Sequence, residues 1–380
     1  MKKTLMIIQY MAFFSVGIIF SLISPLVINI STDIPMNYKE LSLILSGHLI
    51  GELFAMIAIG VLIRRLGIKF SLLMGGLLTI SGLVGCTVTH HYLILVFARI
   101  VTGIGIGIYT IVINGLCADL AQEKGAALNL LNFFFGLGAI GGPIIVSLCL
   151  VSNLSWRMIF LVVSILPFIV TAFCVRQNFP SMTIANTTKT VSGTCPRKVW
   201  LVLPILCIFI YGGLETSMCG WLPIFWKKTA FRFSPTMMIS LFWISLTFGR
   251  LIGGKLADYF GFIRFIFYSS WGCIIASLAW NFLSNPIYLV VIVLLIGFFL
   301  SGIFPTMLAL LSTYCYHIPS TKTVAVISVA SVLGGVLIPL LTGKLLGFCG
   351  IKILSCVVLS LSFLMMVSFL PLMKPGLITK

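Results

Sequence analysis

Five side chains able to carry charge or protons interrupt long apolar runs in this sequence: His48, Glu52, Arg99, Glu215 and Arg250. His48 and Glu52 are one helical turn apart, where an imidazole and a carboxyl group can share a hydrogen bond or a proton. A polar pair satisfied between packed helices is the alternative. A carboxyl group in a low-dielectric cavity can load and release a proton near neutral pH, and Arg99 is the expected counter-charge of Glu52. Glu215 stands among Gly212, Gly213 and Gly220, which weaken a helix and let it bend. It is expected to bind substrate hydroxyls or to carry the proton. Arg250 follows Gly249 and precedes Gly254 by one turn, so a latch to Asp258 or to a helix terminus is expected of it. Amides and aromatic faces suited to a polar ring stand at Asn114, Asn129, Asn132, Trp221, Trp243 and Phe304, with Trp221 and Asn132 the leading candidates. No metal cluster, nucleophile triad or phosphate loop is spaced for enzymatic chemistry, so neither an enzyme nor a cofactor is expected.

The elements that hold these residues must be membrane helices. The 380 residues are 60% apolar and only 8% charged, with a mean hydropathy of +1.21, which cannot give a water-facing surface around a buried core. A bilayer core about 30 Å thick needs roughly 20 apolar residues per helical crossing. Twelve such runs occur, at 5–29, 40–63, 69–88, 91–117, 125–151 and 157–175, then at 199–226, 235–257, 262–282, 286–313, 321–346 and 352–373. The alternating pattern of a strand barrel is missing. Lys2 and Lys3 before the first run imitate a signal peptide, but that run lacks a small-residue cleavage site and reads as the first helix.

The net charge of +17 acquires its meaning from position. With both termini in the cytoplasm, 15 of the 24 Lys and Arg residues fall on the cytoplasmic side, Arg64, Arg65, Lys255 and Arg264 among them. Seven, including Lys39, Arg157, Lys227 and Lys228, fall on the other side, and Arg99 and Arg250 stay at membrane depth. That asymmetry predicts inward-facing termini and a place in the cytoplasmic membrane, and it removes nucleic acid as a partner. Most of the eleven cysteines sit in apolar runs and read as small hydrophobes.

The chain also repeats itself. Gly60-Val-Leu-Ile-Arg64-Arg65-Leu-Gly67 after the second run is echoed at an offset of 194 by Gly254-Lys-Leu-Ala-Asp258-Tyr-Phe-Gly261 after the eighth. Gly136-Leu-Gly138-Ala-Ile-Gly141-Gly142-Pro143 in the fifth is echoed at 196 by Gly334-Gly335-Val-Leu-Ile-Pro339 in the eleventh. Two echoes at nearly one offset imply two six-helix halves, the organisation expected of a transporter assembled from repeats. Residues 1–176 form the first half, 177–198 a cytoplasmic linker and 199–380 the second.

The element from Gly254 to Gly261 resembles the loop motif of the major facilitator superfamily, with Arg64 in place of the acidic residue in the first half. Arg99-Ile-Val-Thr-Gly103-Ile-Gly105-Ile-Gly107 is similar to that superfamily's pattern in the fourth helix. Glycines at that spacing also serve simple helix packing. Within the superfamily, the stretches Leu128 to Ala139, Tyr211 to Trp221 and Gly302 to Thr306 resemble the sugar and proton symporter group that includes the fucose permease; those relatives commonly carry a His where this chain has Asn132. The resemblance implies an all-α fold of twelve membrane helices and alternating-access uptake of a small polar, sugar-like solute coupled to protons, acting as a monomer in the bilayer. It also implies loop and gating roles for Asp258, Arg250, Gly254 and Gly261, and substrate contacts from Asn132, Asn129, Trp221, Asn114 and Arg99. Gly138 and Gly142-Pro143 match the first part of an exporter motif whose terminal glycine pair is replaced here by Ile144-Ile-Val-Ser147, so export of a drug or metabolite is the alternative. A sensor that binds solute without moving it is a third.

Overall fold

The computed structural model describes residues 2–120, 124–179, 199–229, 234–283, 285–314 and 320–373, and among these it contains helices and no strand. Twelve helices are long and apolar enough to cross a bilayer. In the first half they are α1 (Thr4–Asp33), α2 (Tyr38–Ile59), α3 (Arg65–Thr87), α4 (Tyr92–Cys117), α5 (Leu130–Val151) and α6 (Trp156–Arg176). In the second they are α7 (Val202–Lys228), α8 (Pro235–Phe260), α9 (Phe262–Phe282), α10 (Pro286–Leu311), α11 (Ala325–Cys349) and α12 (Ile353–Leu372). All twelve expected spans are found. The contacts divide into two compact units, Met1–Ala185 with Ser234–Ser240, and Asn186–Phe233 with Leu241–Lys380. Of the expected linker, residues 180–198 lie outside the described residues.

Helix ends follow local rules. The N-terminus of α2 carries a capping box, in which the Asn37 side chain accepts from the Glu40 N–H and the Glu40 carboxylate accepts from the Asn37 N–H, both at 2.9 Å. Between α2 and α3 the helical hydrogen bonding runs on across the expected polar break, and only Gly67 leaves helical geometry, at φ 77 and ψ 171. Gly261, its repeat partner, begins α9 at φ 81 and ψ 144. Side chains other than hydrogen are strained there, which is why the repeated motif ends in glycine in both halves.

One expected helix is interrupted. The run 286–313 forms Pro286–Ser301 and Ile303–Tyr314 on either side of Gly302. Pro305 has no N–H to give the Ser301 carbonyl four residues back, so the ladder fails at that point.

In the first unit, α2 and α4 cross with their backbones in contact. A Cβ placed on Gly103 would lie 1.8 Å from the His48 carbonyl oxygen, and one on Gly51 would lie 2.0 Å from that of Ile100. In the second unit, a Cβ on Gly297 would lie 2.9 Å from the Phe242 carbonyl oxygen, while Ser245 donates its hydroxyl to the Leu294 carbonyl. The same positions recur at the repeat offset of 194. The α1–α5 and α7–α11 crossings match as well: Gly17 meets the Phe135 carbonyl and Gly212 that of Ser331, while Gly138 meets Phe14 and Gly334 meets Phe209. With lipid tails as apolar as leucine, such close packing of small residues is what holds membrane helices together.

Candidate functional site

The five ionisable residues fall into two clusters, one in each unit. In the first, Arg99 of α4 is fully buried and places Nη2 2.8 Å from Nδ1 of His48 on α2. A guanidinium has no acceptor, so Arg99 donates, Nδ1 is bare and neutral His48 carries its proton on Nε2. The Phe20 ring of α1 meets the imidazole edge-on with centroids 5.0 Å apart.

Glu52 is the expected partner of Arg99, and here the expectation fails. No ion pair within 4.0 Å joins them; among the described residues such pairs are Asp33–Arg157 and Glu215–Arg250. The reason is geometric. Gly103 and Gly47 bring α4 against the His48 turn of α2, and a Cβ on Gly47 would lie 3.0 Å from Cβ of Arg99. Glu52, one turn further along, lies opposite Gly107 instead. It is buried to 8% exposure, and among the described residues no counter-charge lies within 4.0 Å.

In the second cluster, Arg250 of α8 lies 3.8 Å from Oε1 of Glu215 on α7, both side chains partly exposed. Asp258, which sequence reasoning offers to Arg250 as a latch partner, is exposed and forms no ion pair within 4.0 Å among the described residues, where the partner of Arg250 is Glu215. A charge-assisted hydrogen bond is about 2.7–2.9 Å long. The wider gap leaves the pair open to insertion of a polar group. Tyr211, one turn before Glu215, is buried beside both charges, and its ring centroid is 6.1 Å from that of Phe304. Its spacing from Glu215 could have marked it from sequence.

The remaining candidates scatter. Asn132 is exposed on α5, and Asn114 is half-buried and donates to the Thr110 carbonyl of its own helix at 2.7 Å. Trp221 and Trp243 are fully buried, and the Asn129 and Arg64 side chains lie outside the described residues. Gly254 is exposed with open space around it. Gly142 rests on Ser21 and Ile18 of α1, so this exporter-like glycine serves α1–α5 packing.

Sequence reasoning misses two further features. Gln9 of α1 is buried with neither amide atom hydrogen-bonded. At one end of the first unit, Arg157 is ion-paired to Asp33, donates to the Thr89 carbonyl at 3.0 Å and lies over the Trp156 ring at 4.3 Å. That ties the ends of α1, α3 and α6 together. Among the described residues no group of three His, Cys, Asp or Glu could hold a metal ion. The described cysteines are free thiols.

Comparison with known proteins bears on the family and the fold. The chain is 24% identical over 322 residues to the Protein TsgA homolog of Buchnera aphidicola subsp. Baizongia pistaciae, covering 81% of this chain and 80% of that one. It is 25% identical over 264 residues to the glucose/mannose transporter GlcP of Bacillus subtilis, covering 66% of this chain and 65% of that one. The crystal structure of the nucleoside transporter NupG shares its fold, with a TM-score of 0.78 at 14% identity over 98% of this chain and 100% of that one. The Major Facilitator Superfamily model matches residues 9–339, and this multi-pass membrane transporter, not an enzyme, belongs to that family.

Proposed function

We propose that this chain takes up a small polar, sugar-like solute across the cytoplasmic membrane by alternating access, coupled to protons. Both termini face the cytoplasm in this reading, and a monomer of two six-helix halves, joined by the 177–198 linker, exchanges inward-open and outward-open states. The observation that carries it is the Glu215–Arg250 pair at 3.8 Å, an ionisable contact loose enough to exchange partners. Protonation of Glu215 releases Arg250, and deprotonation restores the pair. Glu52, buried and without a counter-charge among the described residues, is the second candidate for the proton, with His48 one turn away. Asn132, Asn129, Asn114 and Trp221 are proposed substrate contacts, and the Gly254–Gly261 loop with Asp258 a gating element. The glucose/mannose transporter among the relatives supports a sugar-like cargo.

The test is uptake of glucose and mannose into proteoliposomes under an imposed pH gradient. Accumulation is expected to require the gradient and to be lost in Glu215→Gln, while downhill exchange persists. Uptake indifferent both to the gradient and to Glu215→Gln would remove proton coupling from the reading.

A further inference from the structure

Arg99 presents an imbalance that the proton-coupling scheme does not use. Its Nε and Nη1 atoms and Nε2 of His48 are buried and have no hydrogen-bond partner in the structure. With Nδ1 of His48 bonded to the guanidinium, all three orphaned atoms are donors. The cluster thus offers N–H groups in three directions and one full positive charge, with the Leu45 carbonyl of its own helix beside His48 and no anionic acceptor among the described residues.

Among the described residues, no carboxylate of the first unit answers it. Asp33 is held by Arg157 and Trp156, and Glu40 closes the capping box of α2. Glu52 is beyond 4.0 Å, and the Asp119 and Glu123 side chains lie outside the described residues. Facing the cluster from α1 is the Phe20 ring, and from α3 the Cys86 side chain. An unpaired charge at the centre of a membrane helix costs at least roughly 2.5–3.5 kcal/mol, so a guanidinium with 0% exposure calls for an anion from outside the chain. A neutral hydroxyl would satisfy one donor and leave the charge; an anionic oxygen pair or a halide answers both.

We infer that Arg99 and His48 form an anion-binding site, occupied by a carboxylate of the transported solute or by an inorganic anion that travels with it. The inference rests on the reading of the chain as a carrier of a small polar solute and narrows the class of its cargo. Arg99 supplies the charge, and His48, oriented by its bond to Arg99, adds the third donor. Glu52, one turn away, would repel an anion while ionised, so its proton and the anion bind together.

The experiment is thermal unfolding of the purified full chain, without any pH gradient, in D-glucuronate, in chloride and in D-glucose, with acetate-free buffer as the blank. A ligand that binds only the folded state raises its melting temperature. D-Glucuronate or chloride is expected to stabilise the wild type, the effective one identifying the anion's source. Arg99→Gln is expected to lose that stabilisation with at least a tenfold weaker affinity, while Arg99→Lys keeps part of it. Glu52→Gln is expected to strengthen anion binding. Should Arg99→Gln not fold, His48→Gln gives the same comparison with the guanidinium in place, weakened but not abolished. Stabilisation by neither anion, or by both equally in Arg99→Gln, overturns the site. Loss of anion binding in Glu52→Gln also overturns it, because the anion would then be held through the Glu52 carboxyl group. Uptake of glucose with no anion effect leaves the transport reading standing and removes this one.

Discussion

The two units use one packing plan and two chemistries. Gly103 on the His48 carbonyl in the first is Gly297 on the Phe242 carbonyl in the second, and Gly51 against Ile100 is Ser245 against Leu294. The backbones repeat while the side chains part company: Phe242 replaces His48, Leu246 replaces Glu52 and Val293 replaces Arg99 at the offset of 194. Glu215 and Arg250 in turn have no ionisable counterpart in the first unit. Close crossings depend on small residues and tolerate almost nothing else, so duplication preserves them. The polar residues ride on that frame and can diverge. One unit thereby acquires a donor-rich, closed cluster, the other an open acid–base pair.

That comparison can be broken in several places. Glu215→Gln should have the largest effect, complete loss of gradient-driven accumulation in proteoliposomes; Leu246→Glu, which gives the second unit the first unit's carboxylate, should not restore it. Gly103→Ala should be more damaging than its repeat counterpart, since its Cβ would meet a carbonyl oxygen at 1.8 Å, against 2.9 Å for Gly297→Ala. Overpacking typically costs about 1–3 kcal/mol, so melting temperatures in detergent should place Gly103→Ala at or beyond the top of that range and Gly297→Ala near the bottom. Equal effects would mean the two crossings are not equally rigid. Gly67→Ala and Gly261→Ala should each cost about 1–3 kcal/mol, and about the same, because both glycines occupy backbone space that side chains avoid. The smallest change is expected from Asp33→Asn, whose partly exposed pair with Arg157 should matter to the melting temperature only at low salt.

The membrane helices were legible because lipid demands twenty apolar residues per crossing whatever the fold. The repeated glycines were legible because Gly67 and Gly261 are needed for backbone conformation and Gly138 and Gly334 for contact. Partner choice was not. Glu52 and Arg99 were paired on charge alone, but the crossing fixed by Gly47 and Gly103 sets Arg99 on the turn of His48. Arg250 was offered a neighbour in its own loop and found one on another helix, since sequence distance says little about which faces meet. The break at Gly302 was hidden by composition, because an apolar run reads the same whether or not Pro305 interrupts its hydrogen bonding.

That break has a mechanical side. Gly249 rests on Ser301, the last residue before the interruption, and Gly253 on Gly302 itself. Arg250 lies between these two contact points on α8. The joint in α10 is therefore seated on the short stretch of α8 that carries a charge, like a knuckle against a lever. A change in its bend angle acts on the guanidinium over less than one helical turn, and with it on the distance to Glu215.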